Sequence, residues 1–359
     1  EEMRVLIDIA HPAHLHYFRN FTRIIEEGGH EALFTVRDKG IITALAASYG
    51  LNYVVRSREG NSKPVYAINA IKNIYRAAKE FRPDFFVDMG TIFSAPVSRI
   101  LRKPHIVFDD TESAHKARAL FMPLISAILT PDVFQPDLGR KHIRFDSFME
   151  MFYLHRDYFK KDDEIRSKLG LHPGEKYAVL RFVSWEAHHD KGLSGLSQEK
   201  KIDVVREFSE LARVFISSES DLPERLKSYR LTTDPALIHS VLAEADLYFG
   251  EGATMAMESA ILGTPAIYLN QNWPGYTLEA EKRGLMHNYR LDLLSIDNAT
   301  RTGRQILADP QVKKEASGLS KEYFERKIDP TAFLTWFIEQ WPDSFDIMKK
   351  SPAFQERFI

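Results

Sequence analysis

The residues best placed to do chemistry lie between Phe249 and Leu269, a stretch punctuated by Gly250, Gly252, Thr254, Glu258, Gly263 and Pro265. Ala245 to Phe249 is a short, mostly apolar run that suits a buried parallel strand. Gly250 and Gly252 break it and permit a tight turn free of Cβ atoms. Thr254 to Leu262 is rich in helix formers, and Gly263-Thr264-Pro265 stops that helix. Ala266 to Leu269 is the next buried strand. The turn presents unpaired N–H groups at a helix N-terminus, where aligned peptide dipoles favour an anion. A phosphate fits there, on Gly252, Ala253 and Thr254. Glu258 lies four residues after Thr254, one turn further along the same face. A carboxylate in that place repels the phosphate but accepts hydrogen bonds from ribose hydroxyls beside it. Phosphates on the turn and ribose on the glutamate describe a nucleoside diphosphate. The same pattern also fits an ordinary βαβ unit in which the glycines only turn the chain and Glu258 is solvated.

Two further groups offer acid–base chemistry. The apolar strand His105–Phe108 runs into Asp109-Asp110-Thr111-Glu112-Ser113-Ala114-His115. Three carboxylates and a histidine just past a strand end are costly to gather without a partner. Asp110 and Glu112 suit a general base, an acceptor-hydroxyl contact or a metal; the stretch equally suits an Asp or Thr cap with a Glu three residues on. His14 follows the first strand, Arg4–Ile9, in the loop Ala10–His14. An imidazole near pKa 6.5 takes a proton from a hydroxyl at neutral pH, although His14 could instead cap or pack the loop. His16, inside the next helix, reads as structural. Asn270 and Gln271 leave the strand after Glu258, and amides beside a donor site commonly read sugar hydroxyls. Trp273 either stacks on a sugar or packs. His188, His189 and Asp190 are adjacent but point different ways on most backbones, so no metal site is expected.

These residues need elements to hold them. Strand patterns at Arg4–Ile9, Ala32–Val36 and Tyr53–Val55 alternate with helical stripes at Leu15–Glu27 and Ile41–Tyr49. This βαβαβ rhythm predicts an α/β fold with a parallel, doubly wound sheet, whose ligands sit beyond the strand C-termini. The pattern pauses in the polar stretch Tyr153–Lys176 and restarts at Tyr177–Phe182, which sets a domain junction. The expected division is a first domain over 3–157, a second over 158–331, and a helical segment over 332–359 that returns to the first. Phe333, Trp336, Phe337 and Trp341 would form the buried face of that segment. Ala117–Leu129, strongly apolar with Pro123 inside, reads as a buried helix, with a surface for lipid-linked acceptors as the alternative.

Bulk properties narrow the class. At 359 residues the chain exceeds one ordinary core. A net charge of −2 gives no electrostatic case for nucleic acid. Cysteine is absent, which removes disulfides, thiolate metal sites and Cys nucleophiles and fits a reducing cytoplasm. Met3 is followed by a strand pattern rather than a basic and then apolar leader, so no signal peptide is expected. No apolar run reaches the roughly 20 residues of a membrane helix.

The spacing of Gly252, Thr254, Glu258, Gly263 and Pro265 after a strand resembles the donor-nucleotide motif of GT-B glycosyltransferases and of non-hydrolysing UDP-GlcNAc 2-epimerases. The whole chain is also similar to a family of uncharacterised prokaryotic proteins regarded as GT-B-like. The resemblance implies two Rossmann-like domains facing a cleft, with Gly252, Ala253 and Thr254 on phosphate and Glu258 on ribose. It places Arg181 and Ser184, after the second domain's first strand, near the phosphates, and puts the nucleobase on backbone near Ile238. Ala13–Ala32 aligns without gaps to the start of the lipid-II N-acetylglucosaminyltransferase, whose loop histidine falls on His14, while Pro12 and Ala13 stand where that loop has glycines. The epimerases carry a catalytic Asp where this chain has Thr91, a departure that argues against epimerase chemistry. The expected activity is metal-independent transfer of a sugar from a nucleotide diphosphate donor, a UDP-sugar by preference, to a glycan or lipid-linked acceptor in polysaccharide synthesis. No cofactor beyond the substrate and no nucleic-acid partner are expected, with peripheral contact at the inner face of the membrane as a possibility. A 2-epimerase-like enzyme and a non-catalytic nucleotide-sugar binder are the alternatives.

Overall fold

The computed structural model describes residues 2–38, 40–58, 63–182, 196–218 and 221–359. The chain divides into two compact units, one of Glu1–Tyr158 with Lys327–Ile359 and one of Phe159–Arg326.

The first unit is a seven-stranded parallel sheet with helical crossovers. Its elements are β1 (Arg4–Ile9), α1 (Pro12–Glu27), β2 (Glu31–Asp38), α2 (Gly40–Ser48), β3 (Tyr53–Arg58), α3 (Lys63–Phe81), β4 (Phe85–Asp88), α4 (Ser94–Leu101), β5 (His105–Phe108), α5 (His115–Phe121), β6 (Ala127–Pro131), β7 (His142–Phe145) and the short α6 (Met151–Leu154). The strand order is β3-β2-β1-β4-β5-β6-β7, so the winding reverses between β1 and β4. Central strands are mostly apolar because helices cover both faces of a parallel sheet. Asp8 on β1 stands in register with Thr35 on β2 and Asp88 on β4, so three polar side chains share one level of the sheet.

Two expectations are corrected here. His14 lies in the first turn of α1, because the helix starts at Pro12, whose fixed φ suits a first helical position, with His11 as its cap. Ala117–Leu129 is not one buried helix. α5 ends at Phe121, a turn through Pro123 follows, and β6 begins at Ala127. Leu120 is 64% exposed. Proline inside the run removes the N–H that a continuing helix needs.

The second unit contains α7 (Ile165–Lys168), β8 (Tyr177–Arg181), α8 (Gln198–Ser209), β9 (Arg213–Ser217), α9 (Ile238–Glu244), β10 (Leu247–Gly250), α10 (Ala253–Ile261), β11 (Ala266–Leu269), α11 (Gly275–Lys282), β12 (Met286–Tyr289), α12 (Leu293–Ala308) and α13 (Pro310–Phe324). Its parallel sheet runs β12-β11-β10-β8-β9, reversing between β10 and β8. Leu180, Phe208, Leu247, Phe249, Ile267 and Ala299 form one buried cluster between that sheet and α8 and α12.

The chain then returns to the first unit through α14 (Pro330–Glu339) and α15 (Asp343–Lys350). Asp329 caps α14 by accepting from the N–H groups of Thr331 at 2.8 Å and Ala332 at 3.2 Å. Phe333 packs against Phe145 and Phe358, and Trp336 stacks on Phe354 at 4.8 Å. Gln355 accepts from the Asp146 N–H at 2.7 Å.

Candidate functional site

The second unit's site is built where its winding reverses, the place at which doubly wound sheets bind ligands. Gly250 ends β10 beside Arg181 on β8. A Cβ on Gly250 would stand 2.4 Å from the Arg181 carbonyl oxygen and 2.7 Å from the Tyr248 hydroxyl, so the protein itself requires glycine there. Gly252 differs. Its backbone is extended, at φ −93° and ψ 112°, and a Cβ would meet nothing closer than 3.5 Å. It is the cap residue of α10 and supplies no side-chain acceptor, while the first turn carries no acidic residue. Gly252, Ala253, Thr254 and Met255 are half-buried, so this bare helix start is accessible. The Tyr248 hydroxyl donates to the Gly252 carbonyl at 3.1 Å and braces the turn from below. Burial pushes that phenol well above its ordinary pKa, so it stays a donor.

Glu258 does lie one turn into α10, but it is only 6% exposed rather than solvated. Its Oε1 is 3.0 Å from Nε2 of His239, itself 6% exposed on the first turn of α9. Ile238, also at that start, is half-buried. Arg181 donates to Ser217 Oγ at 3.4 Å. Asn270 uses its side-chain oxygen to accept from the Asn272 N–H at 3.1 Å, while Gln271 is exposed. The Arg290 guanidinium lies 5.5 Å over the Trp273 ring, and the Trp273 indole N–H is buried without a hydrogen-bond partner among the described residues. Ser184, His188, His189 and Asp190 lie outside the described residues.

In the first unit the carboxylates after β5 divide. Asp109 is paired: its Oδ2 is 2.7 Å from Arg118 Nε, and its Oδ1 accepts from the Thr111 N–H at 2.9 Å. Asp110 pairs with no cation among the described residues. It accepts from the Thr111 hydroxyl at 3.1 Å, and burial, then the charge of Asp109, then that of Glu112 push its carboxyl up to about 6. The capping alternative does not form: neither Thr111 nor Ala114 makes a side-chain cap, and Glu112 begins a single 3₁₀ turn. His14 is a weaker base than a free imidazole. Its Nδ1 is buried without a hydrogen-bond partner among the described residues, and burial with the nearby His11 lowers its pKa to about 3. The imidazole is neutral at pH 7 but weakly basic. His16 is structural, 3.0 Å from the Tyr49 hydroxyl.

Sequence reasoning missed a buried polar network at the same sheet edge. Asp8 Oδ1 contacts Arg56 Nε at 2.7 Å and accepts from Thr35 at 2.7 Å. The Thr91 hydroxyl lies 2.6 Å from Asp8 and 3.0 Å from Asp88. Asp88 also accepts from Ser94 and, at 2.8 Å, from His105 Nε2, whose Nδ1 meets Ser98 at 3.0 Å. Burial raises Asp8. Burial would raise Asp88 too, but the charge and hydrogen bond of His105 hold it below its usual range. The signal was present: Asp8 and Asp88 are charged residues inside buried strands, and such residues survive only with partners. Thr91 thus ties two carboxylates together with its hydroxyl. None of Asp8, Asp88 and His105 reaches the surface, which makes the network a scaffold for the loops above it.

A family described as "Protein of unknown function (DUF354)" matches residues 3–321. The chain belongs to that family. It is 25% identical over 283 residues to "Uncharacterized protein MJ0665" of Methanocaldococcus jannaschii, covering 73% of this chain and 80% of that one. Among solved structures it is similar to S. aureus MnaA in a co-structure with UDP, at a TM-score of 0.70 and 10% identity over 95% of this chain and 97% of that chain. It is also similar to the spinosyn forosaminyltransferase SpnP, at a TM-score of 0.67 and 13% identity over 94% and 99%. This DUF354 chain therefore has the GT-B fold.

Proposed function

We propose that this protein is a glycosyltransferase that binds a nucleoside diphosphate sugar on its second unit and activates an acceptor hydroxyl on its first. The observation that carries the reading is the bare start of α10, where Gly252 is glycine although the protein leaves room for a side chain. A ligand approaching the backbone closely accounts for that room; packing does not. The N–H groups of Ala253 and Thr254 would hold the diphosphate and stabilise it as the leaving group. Glu258 would read the ribose, and Arg181 would add a planar donor fork. The fold neighbours bear on this: MnaA was solved with UDP, and SpnP is a spinosyn forosaminyltransferase.

Asp110 is the base this reading assigns. A carboxyl near 6 is deprotonated at neutral pH yet retains useful basicity, whereas an imidazole near 3 does not. The acceptor O–H gives its proton to Asp110, the acceptor oxygen bonds to the anomeric carbon, and the bond from that carbon to the diphosphate oxygen breaks. One base and a direct displacement give inversion. Asn270, Gln271 and the Trp273 indole N–H are the candidate readers of the donor sugar. A glycan or lipid-linked alcohol is the acceptor class.

Calorimetric titration of UDP, with GDP, ADP and CMP for comparison, tests the donor site in wild type and Glu258→Ala. The expected result is UDP binding weakened by about 2 kcal/mol in the variant, the scale of a lost charge-assisted hydrogen bond. No nucleotide binding, or no effect of the variant, would sink the reading. Turnover of UDP-GlcNAc without acceptor would instead support the epimerase alternative. Transfer that survives Asp110→Asn would remove that residue from the reaction.

A further inference from the structure

Buried carboxylates are expensive unless something holds them, and one group that holds Glu258 lies outside the nucleotide motif. His239 sits near the start of α9, the helix that leads into β10, so it lies toward the same sheet edge as Gly252. Its Nε2 is 3.0 Å from Glu258 Oε1, and both side chains are 8% exposed. The Phe159 ring meets the His239 ring edge to face, with centroids 6.4 Å apart and planes at 88°. The 3₁₀ turn Pro235–Leu237, capped by Asp234 accepting from the Ala236 N–H at 2.9 Å, fixes where α9 begins. The histidine therefore approaches the carboxylate from a packed position. Glutamate has three rotatable side-chain bonds, and one directed N–H donor restricts them before any ligand arrives.

We propose that His239 is a positioning residue that presents Glu258 to a vicinal diol, making the site selective for ribonucleoside over 2′-deoxyribonucleoside diphosphates. This rests on the donor-site reading above. A carboxylate held in one rotamer can take both ribose hydroxyls, one on each oxygen or both in a fork. Remove the 2′-hydroxyl and a buried carboxylate oxygen loses a donor in a place water reaches poorly. Sites built to bond a hydroxyl reject the analogue that lacks it far more strongly than apolar pockets discriminate by size. A freely rotating glutamate would pay part of that selectivity back by turning toward water.

The test is calorimetric titration of UDP and 2′-deoxy-UDP into wild type, His239→Gln and His239→Asn, with thermal melts as a check on folding. Glutamine places an N–H near the position of Nε2, and asparagine is too short to do so. The expected wild-type preference for UDP is at least tenfold. His239→Asn should bring UDP close to the deoxy level while leaving 2′-deoxy-UDP unchanged, and His239→Gln should restore most of the preference. Equal wild-type affinity for the two nucleotides overturns the inference while leaving the diphosphate site standing. A preference untouched in both variants, or an equal loss of both ligands, also overturns it, since a merely structural histidine would behave so. If wild type binds neither nucleotide, the donor-site reading itself fails and this inference with it.

Discussion

At the residue scale the decisive contrast is between two groups of different basicity. Asp110 has a folded pKa of about 6 against 3.8 for the free side chain, so the folded state binds its proton more tightly. Stability from this group is complete below about pH 3.8 and is lost as pH rises through 6. Asp110→Asn is therefore expected to stabilise the protein at pH 7.5. Two pK units correspond to about 3 kcal/mol, and partial exposure brings the expected gain to about 1–2 kcal/mol. The gain should shrink toward pH 4 while transfer is lost, and denaturant melts at the two pH values check it. For the wild type, kcat/KM should fall on the acid side near pH 6; an acid limb near 3 would assign the base to His14 instead. His14 titrates with the opposite sign. Its folded pKa of about 3 lies below 6.5, so its contribution is present above pH 6.5 and drains away as pH falls. His14→Gln should flatten the acid loss of stability by about 1–2 kcal/mol at pH 4, the full shift being discounted for partial exposure.

At the element scale the turn between β10 and α10 holds two glycines with different reasons to exist. Gly250→Ala drives a Cβ into the Arg181 carbonyl oxygen, and because that obstacle is backbone it does not move aside easily. A loss of about 1–3 kcal/mol is expected. Gly252→Ala has room and an ordinary φ, so its stability should stay within about 0.5 kcal/mol of wild type. Its UDP affinity should nevertheless fall at least tenfold, because the new methyl stands beside the N–H groups proposed to hold phosphate. Chemical melts and titration on the same two proteins separate the roles. Unaltered UDP binding by Gly252→Ala would mean that the bare helix start is not the phosphate site.

At the scale of the whole molecule, the two units differ in how the chain builds them. The second is continuous from Phe159 to Arg326 and encloses its own sheet and core. The first is closed by the last thirty or so residues, since Lys327–Ile359 belongs to it. Thr331 donates to the Phe152 carbonyl at 3.2 Å, Ser147 donates to that of Ile328 at 2.9 Å, and Phe333 covers Phe145. A fragment of 159–326 is thus expected to melt cooperatively by circular dichroism. A fragment ending at Tyr158 should not, because its aromatic core would lie open to water. Mixing the 2–158 fragment with a peptide of 327–359 should recover part of the transition. A cooperative melt of 2–158 alone, at the wild-type temperature, would refute this view of the first unit.

Much of the fold was legible in the chain because buried parallel strands and the punctuation around them are local. Apolar runs of four to six residues, glycines past strand ends and helical stripes depend on neighbours in sequence, and they led to the α/β fold and the turn at Gly250–Gly252. The start of α1 was misplaced because Pro12 reads as a loop residue until its helical position is seen. Ala117–Leu129 was misread because composition does not show where Pro123 breaks a run. What only the tertiary structure decided is which charges meet. Asp8 and Asp88 are 80 residues apart in sequence, yet they stand side by side because β1 pairs with β4. His239 reaches Glu258 because α9 and α10 pack against each other. The unequal basicity of Asp110 and His14 has the same origin. Basicity in a protein depends on burial and on nearby charge, and both are set by what packs around a residue rather than by what precedes it in the chain.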